Sequence, residues 1–223
     1  MTKITIKYWP ILARGSGLYR MMAEKGQEFE VINDMNQFGC ALFGAETTNL
    51  APPILVDGEL TISQSVPCHL YLGRKLGYDA GIDVPEVAIQ YMEDLNDLHN
   101  ELNRAANPSG SAADDVAKLK ELITGGRYLK ILCAINRSIK GPYYFGAEPT
   151  YVDFYACGVF EMCEGKWLTP LTPYSGDTIA EHAPKLKVVL SSIRQLGLEK
   201  LPKVPPVPPA FVLSAERCAT WGR

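Results

Sequence analysis

The chain has 223 residues, 47% of them apolar and 21% charged, with a formal net charge of -3. That is enough for one large or two small domains around a packed core, and there is no dense basic block of the kind that grips nucleic acid. No apolar run approaches the roughly 18 residues that suggest a bilayer span, and the chain opens on a strand pattern with no charged and apolar leader. A cytoplasmic protein without a nucleic-acid or membrane partner is expected. The six cysteines, Cys40, Cys68, Cys133, Cys157, Cys163 and Cys218, form no C-x-x-C pair. Most fall in apolar helical patterns, as buried thiols do. The three histidines lack the carboxylate or cysteine spacing of a metal site, so no metal is expected, and no Gly-rich phosphate loop is visible.

In chain order, Ile4, Ile6 and Tyr8 alternate with polar residues and predict a strand over residues 3–9, ended by Pro10. A helix follows over residues 16–25, with Ser16 as N-cap, Leu18, Met21 and Met22 on its buried face, and Gly26 as its stop. Residues 28–32 alternate as a second strand. Residues 33–50 carry two Phe-Gly pairs and weak periodicity, so a short or irregular helix is expected there.

Residues 51–77, APPILVDGELTISQSVPCHLYLGRKLG, carry most of the functional information. Ile54 to Val56 and Glu59 to Ile62 flank Asp57-Gly58, the sign of a two-residue hairpin turn. Pro53 sits directly ahead of the first of these strands, where it is a candidate for a cis bond. Gln64 and Ser65 stand where a helical pattern begins, so polar side chains and open backbone N–H groups converge in a place that suits a carboxylate.

Residues 78–85, with their glycines and Pro85, read as a linker. Beyond them the pattern is helical: a long helix carrying Val84, Val87, Ala88, Tyr91, Met92, Leu95, Leu98 and Leu102 and ended at residues 107–110, then helices over residues 112–123 and 127–140. Thr150 and Asp153 form a capping box for a buried helix over residues 151–163. Pro184 opens a helix through Leu196, and the proline-rich tail is expected to lie over the surface.

The β-α-β-(α)-β-β-α order, with a proline ahead of the third strand and a polar pair heading the last helix, resembles the thioredoxin-like amino-terminal domain of the glutathione S-transferases. The specific matches are YWP near the start, P-x-L-x-D-G-x-L-x-I-x-Q-S from Pro53, the Y-L-G-R-K-L-G helix from Tyr71, and the capping box at Thr150. The resemblance covers nearly the whole chain. It implies an α/β thioredoxin-like domain over residues 1–79 and an all-α helical domain over residues 86–223. It also implies a cytoplasmic homodimer that joins glutathione to small apolar electrophiles, a detoxification chemistry that uses glutathione as co-substrate and no bound cofactor.

Residue by residue, the resemblance makes Tyr8 the hydroxyl donor to the glutathione sulfur, as in the tyrosine-type classes (alpha, mu, pi and sigma). The plainer alternative is an ordinary strand tyrosine. Ser16 is a rival, because serine-type classes use a serine at the start of the first helix, a few residues before an arginine, and Ser16 stands four before Arg20; Cys40 is a weaker one. Gln64 and Ser65 are expected to hold the γ-glutamyl carboxylate, the backbone at Pro52 and Pro53 the cysteinyl part, and Arg14 the glycyl carboxylate. Asp97 matches a carboxylate that reaches the γ-glutamyl ammonium across a dimer interface, and Phe43 is the candidate for a ring inserted into the partner. Ile11, Leu12, His99 and Asn103, with Phe211 or Trp221, are candidates for lining the second pocket. For Arg14 and Asp97 the alternative is a solvated surface charge, and for Phe43 a contact within its own loop.

Two departures stand out. There is no lysine or arginine between Lys25 and Arg74, where relatives usually place a base for the glycyl carboxylate, and Pro52 has no N–H to offer the cysteinyl part. Weaker glutathione binding than in relatives is therefore expected. The resemblance also admits a non-catalytic relative, a ligand-carrying or structural protein that keeps the fold with a weakened glutathione site.

Overall fold

The computed structural model describes residues 3–106 and 112–201. Four short strands, β1 (Ile4–Lys7), β2 (Phe29–Ile32), β3 (Ile54–Asp57) and β4 (Leu60–Ser63), form one sheet in the order β2-β1-β3-β4. β1 pairs parallel with β2 and antiparallel with β3, and β3 pairs antiparallel with β4 across the expected hairpin, whose Gly58 sits at φ 62. Helix α1 (Ser16–Lys25) makes the crossover between β1 and β2, and α2 (Ser65–Leu76) follows β4. This is the thioredoxin-like order expected from the sequence. The turn is tied to α2, since Asp57 accepts from the Tyr71 hydroxyl at 2.8 Å and from Lys75.

The rest is helical: α3 (Pro85–Ala106), α4 (Ala112–Gly125), α5 (Arg127–Ser138), α6 (Tyr151–Cys163), α7 (Thr169–Ser175), α8 (Thr178–His182) and α9 (Pro184–Gln195). Ala88, Met92, Leu95, Leu98 and Leu102 give α3 one buried face. α6 is buried along almost its whole length, and α1 lies directly on it, so sheet and helices share one continuous core. Asp153 caps α6 from inside that core, accepting from Thr150 N–H at 2.7 Å, Thr150 Oγ1 at 2.7 Å and Tyr144 N–H at 2.9 Å. Among the described residues no helix is long and apolar enough to cross a membrane.

Several boundaries differ from the sequence reading. β1 stops at Lys7. Residues 33–50 hold two 3-10 turns, Met35–Gln37 and Ala41–Phe43, with Phe38 and Cys40 turned inward onto Ile54 as a small separate cluster. Ser16 is not the N-cap of α1: the cap residue is Gly15, and the serine hydroxyl is spent instead on Glu161 of α6. α7 and α8 fall in the stretch read as helical, where no separate helices were expected. The expected stop at residues 107–110, the tail, Phe211 and Trp221 lie outside the described residues.

Candidate functional site

The sheet register puts Ile32, Lys7, Ile54 and Ser63 in one row across the four strands. One residue beyond that row, at the same edge, come Tyr8 after β1, Pro53 before β3 and Gln64 after β4. Neighbouring strands are about 4.8 Å apart, so Tyr8 and Gln64 stand on the order of 10 Å from each other with Pro53 between them. The Pro52–Pro53 peptide is cis, and both prolines are buried. Gln64 holds φ 75 and ψ 145, and is the one described non-glycine residue with positive φ. Such a conformation costs about 1 to 3 kcal/mol and is kept only where the surroundings enforce it. It delivers the chain into the first turn of α2, where the helix leaves the Ser65 and Val66 amides without an internal acceptor and Pro67 has none to offer. Ser65 is buried, and its carbonyl accepts from His69 Nδ1 at 2.8 Å.

Tyr8 is buried, 3% exposed. Its ring lies against Gly15 so closely that a Cβ there would come within 2.5 Å of ring Cδ1. Burial pushes the phenol above its ordinary pKa; the Arg14 guanidinium and the Arg14 and Gly15 backbone beside its oxygen pull the other way without reversing the shift. Tyr8 is thus a protonated donor at neutral pH. Arg14 is partly buried, and its charge is also felt by Tyr155, His99 and Cys163, which places it at the Tyr8 end of the sheet edge, toward the helices. Ser16 is fully buried and donates to Glu161, which also pairs with the buried Arg20. Cys40 is buried within its loop cluster.

The Arg14 charge also reaches His99 on α3 and Cys163, which precedes a π-helical turn, Glu164–Leu168, that continues α6. Trp167 from that turn lies 5.6 Å from the His99 ring, and Lys166 donates to Asn103 at 3.3 Å. Burial, helped by the Arg14 and Lys166 charges, lowers His99 to about 4, so its ring is neutral. Ile11 is buried and Leu12 partly exposed. Asp97 is exposed and pairs at 3.1 Å with Arg127 of the same chain, itself exposed. Phe43 is 42% exposed and still meets Phe38 of its own loop at 5.6 Å and Trp9, which follows β1, at 5.5 Å.

Lys166, Trp167 and Tyr155 escaped the sequence reading. A π turn shifts the helical phase by one residue, so the side chains it presents do not follow the apolar periodicity by which the rest of α6 was found. Among the described residues, no three His, Cys, Asp or Glu side chains are grouped to hold a metal ion.

No family model matches the sequence, and no curated protein matches it. Solved structures do. The prostaglandin synthase D of Nilaparvata lugens is similar at 19% identity, over 92% of this chain and 100% of that one, with a TM-score of 0.66. The Pi-class glutathione S-transferase of Onchocerca volvulus is similar at 16% identity, over 89% and 91%, with a TM-score of 0.65. The glutathione S-transferase from Ascaris lumbricoides is similar at 19% identity, over 92% and 100%, with a TM-score of 0.64. At these identities the likeness is one of fold, and the fold of this chain is that of the glutathione S-transferases.

Proposed function

We propose that the protein is a glutathione transferase of the tyrosine type, acting as a homodimer in the reducing cytosol. The observation that carries this is the line of Tyr8, Pro53 and Gln64 along one sheet edge. Its span of about 10 Å suits a γ-glutamyl-cysteinyl ligand held at one end by its carboxylate and at the other by its thiol. In this reading the Ser65 and Val66 amides, with the Gln64 and Ser65 side chains, take the γ-glutamyl carboxylate at the head of α2. The Pro52 carbonyl accepts from the cysteinyl N–H. Asp97 of one protomer reaches the γ-glutamyl ammonium bound by the other. Ile11, Leu12, His99 and Asn103 border the space for a small apolar electrophile.

The chemical task is to hold glutathione as thiolate, because a thiol of ordinary pKa near 8.5 is mostly protonated in the cytosol. A phenol kept protonated by burial donates to the sulfur and stabilises its charged form. A hydrogen bond to a charged group contributes about 1.5 to 3 kcal/mol, which corresponds to lowering the thiol by about 1 to 2 pKa units. The thiolate then attacks the electrophile, and the carbon–sulfur bond forms as a halide leaves an aryl halide with its bonding pair, or as the π pair of an activated alkene shifts away and takes a proton from water.

The test is the pH titration of the ultraviolet thiolate band of bound glutathione. Tyr8→Phe is expected to move the midpoint up by about 1 to 2 units and to lower turnover while glutathione affinity stays nearly constant. If Ser16→Ala does this and Tyr8→Phe does not, the tyrosine assignment is wrong. The missing base and the amide-less Pro52 favour one other reading, a ligand carrier with a weakened glutathione site. Retention on immobilised glutathione without conjugation of an aryl halide would select it.

A further inference from the structure

We propose that Lys7 is the cation that receives the glycyl carboxylate of glutathione, an inference that rests on the glutathione reading above. The strand order supplies the direction. A tripeptide anchored after β4 at Gln64 and Ser65, with its thiol at Tyr8 after β1, has crossed the sheet edge over β3. Its last residue continues in the same sense, toward β2 and the loop of residues 33–50 that leaves it. A carboxylate arriving there calls for a positive charge, and the loop contains no lysine or arginine.

Lys7 is the last residue of β1, paired with Ile32 on one side and Ile54 on the other. Its side chain leaves the sheet on the face opposite Tyr8, and its ammonium lies 3.9 Å from the point where a Cβ of Gly39 would stand. Gly39 has φ +60, a conformation that disfavours any other residue, so the loop presents bare backbone beside the ammonium. The other cations of the amino-terminal half are engaged elsewhere. Lys3 pairs with Glu30, Arg20 with Glu161, Lys25 with Glu24 and Lys75 with Asp57, while Arg14 stands at Tyr8 and Arg74 is in the last turn of α2. Lys7 is partly buried and has no hydrogen bond or ion pair among the described residues. An ammonium without a counter-charge is free to make a charge-assisted hydrogen bond, and a ligand carboxylate at this place would supply the acceptor. The cation thus comes from the strand beneath the loop instead of from the loop itself.

The experiment is calorimetric titration of the full chain with glutathione and with its glycyl ethyl ester, which has the same backbone without the terminal charge. The unaltered protein is expected to bind the ester roughly 10-fold to 100-fold more weakly than glutathione. Lys7→Met should weaken glutathione by a similar factor and leave the ester unchanged, and Lys7→Arg should recover most of the loss. Equal affinity of the unaltered protein for both ligands overturns the assignment to Lys7 while glutathione binding stands. So does a Lys7→Met loss that is the same for both ligands, or no loss. If neither ligand binds, the glutathione reading falls and this inference falls with it.

Discussion

The Tyr8 ring rests on the backbone of Gly15, where even a methyl group would collide with it at 2.5 Å. Two residues seven apart in sequence therefore fix the phenol at the sheet edge. Gly15→Ala should displace the ring, since overpacking a tight contact costs about 1 to 3 kcal/mol. Turnover is expected to fall on the order of 10-fold, with the thiolate titration moving upward, and the double variant with Tyr8→Phe should be little worse than Tyr8→Phe alone. Normal turnover by a folded Gly15→Ala enzyme would show that the ring does not depend on this contact.

Ser16, Arg20 and Glu161 form a buried set joining α1 to α6, with Arg20 also donating to the Arg194 carbonyl at 3.0 Å. Removing one partner of a buried pair leaves the other charge uncompensated, at about 3 to 5 kcal/mol. Glu161→Ala should lower unfolding free energy by that amount in denaturant titrations, while the folded fraction keeps its turnover. A large loss of turnover at unchanged stability would instead put Ser16 at the chemistry.

Asp153 satisfies three donors inside the core, so its role exceeds that of an exposed cap. An exposed cap contributes about 0.5 to 2 kcal/mol, whereas each stranded buried donor costs about 1 to 3. Asp153→Ala is expected to lose at least about 3 kcal/mol. Burial raises the carboxyl to about 6. A raised folded-state pKa contributes stability that is fully present below the unfolded value and lost as pH rises through the folded one. The gap between wild type and Asp153→Ala should therefore widen by about 1 kcal/mol from pH 7 to pH 5. A gap that narrows over that range would mean the buried carboxylate is held well below its ordinary pKa.

What the sequence disclosed follows from the range of each interaction. The Asp57-Gly58 turn, the Thr150–Asp153 box and the α3 stripe are written in neighbouring residues, and all three are in the structure. So is the cis bond ahead of Pro53. The partner of Ser16 is 145 residues away and Lys7 meets Gly39 only through the fold, so neither contact has a local signature. α7 and α8 are short, and α7 opens through a proline straight after the π turn, which breaks the period by which helices are read.

The loop of residues 33–50 presents Leu42, Phe43 and Leu50 to the outside, an apolar set at the place expected for a partner contact. Apolar surface gathered in this way favours burial against a second subunit. Phe43→Ser should shift the chain from dimer to monomer at micromolar concentration in sedimentation, and should also change tryptophan fluorescence through the Trp9 contact. An unaltered chain that sediments as a monomer would remove the dimer, and with it any role for Asp97 across an interface.

Arg14 was expected at the glycyl carboxylate; in the structure its charge bears on Tyr8, Tyr155 and His99. That position predicts a different phenotype. Without the guanidinium, only the Arg14 and Gly15 backbone still opposes the upward push of burial, so the Tyr8 phenol becomes a poorer donor, and a nearby positive charge that favours the thiolate is lost. Arg14→Ala is expected to raise the pKa of bound glutathione by about 1 unit and to lower kcat more than it raises KM for glutathione. The ester comparison should be indifferent to it, because the glycyl end is assigned to Lys7. If Arg14→Ala instead weakens glutathione more than 10-fold, about 1.4 kcal/mol, spares the ester and leaves the thiolate titration in place, the glycyl role belongs to Arg14 after all.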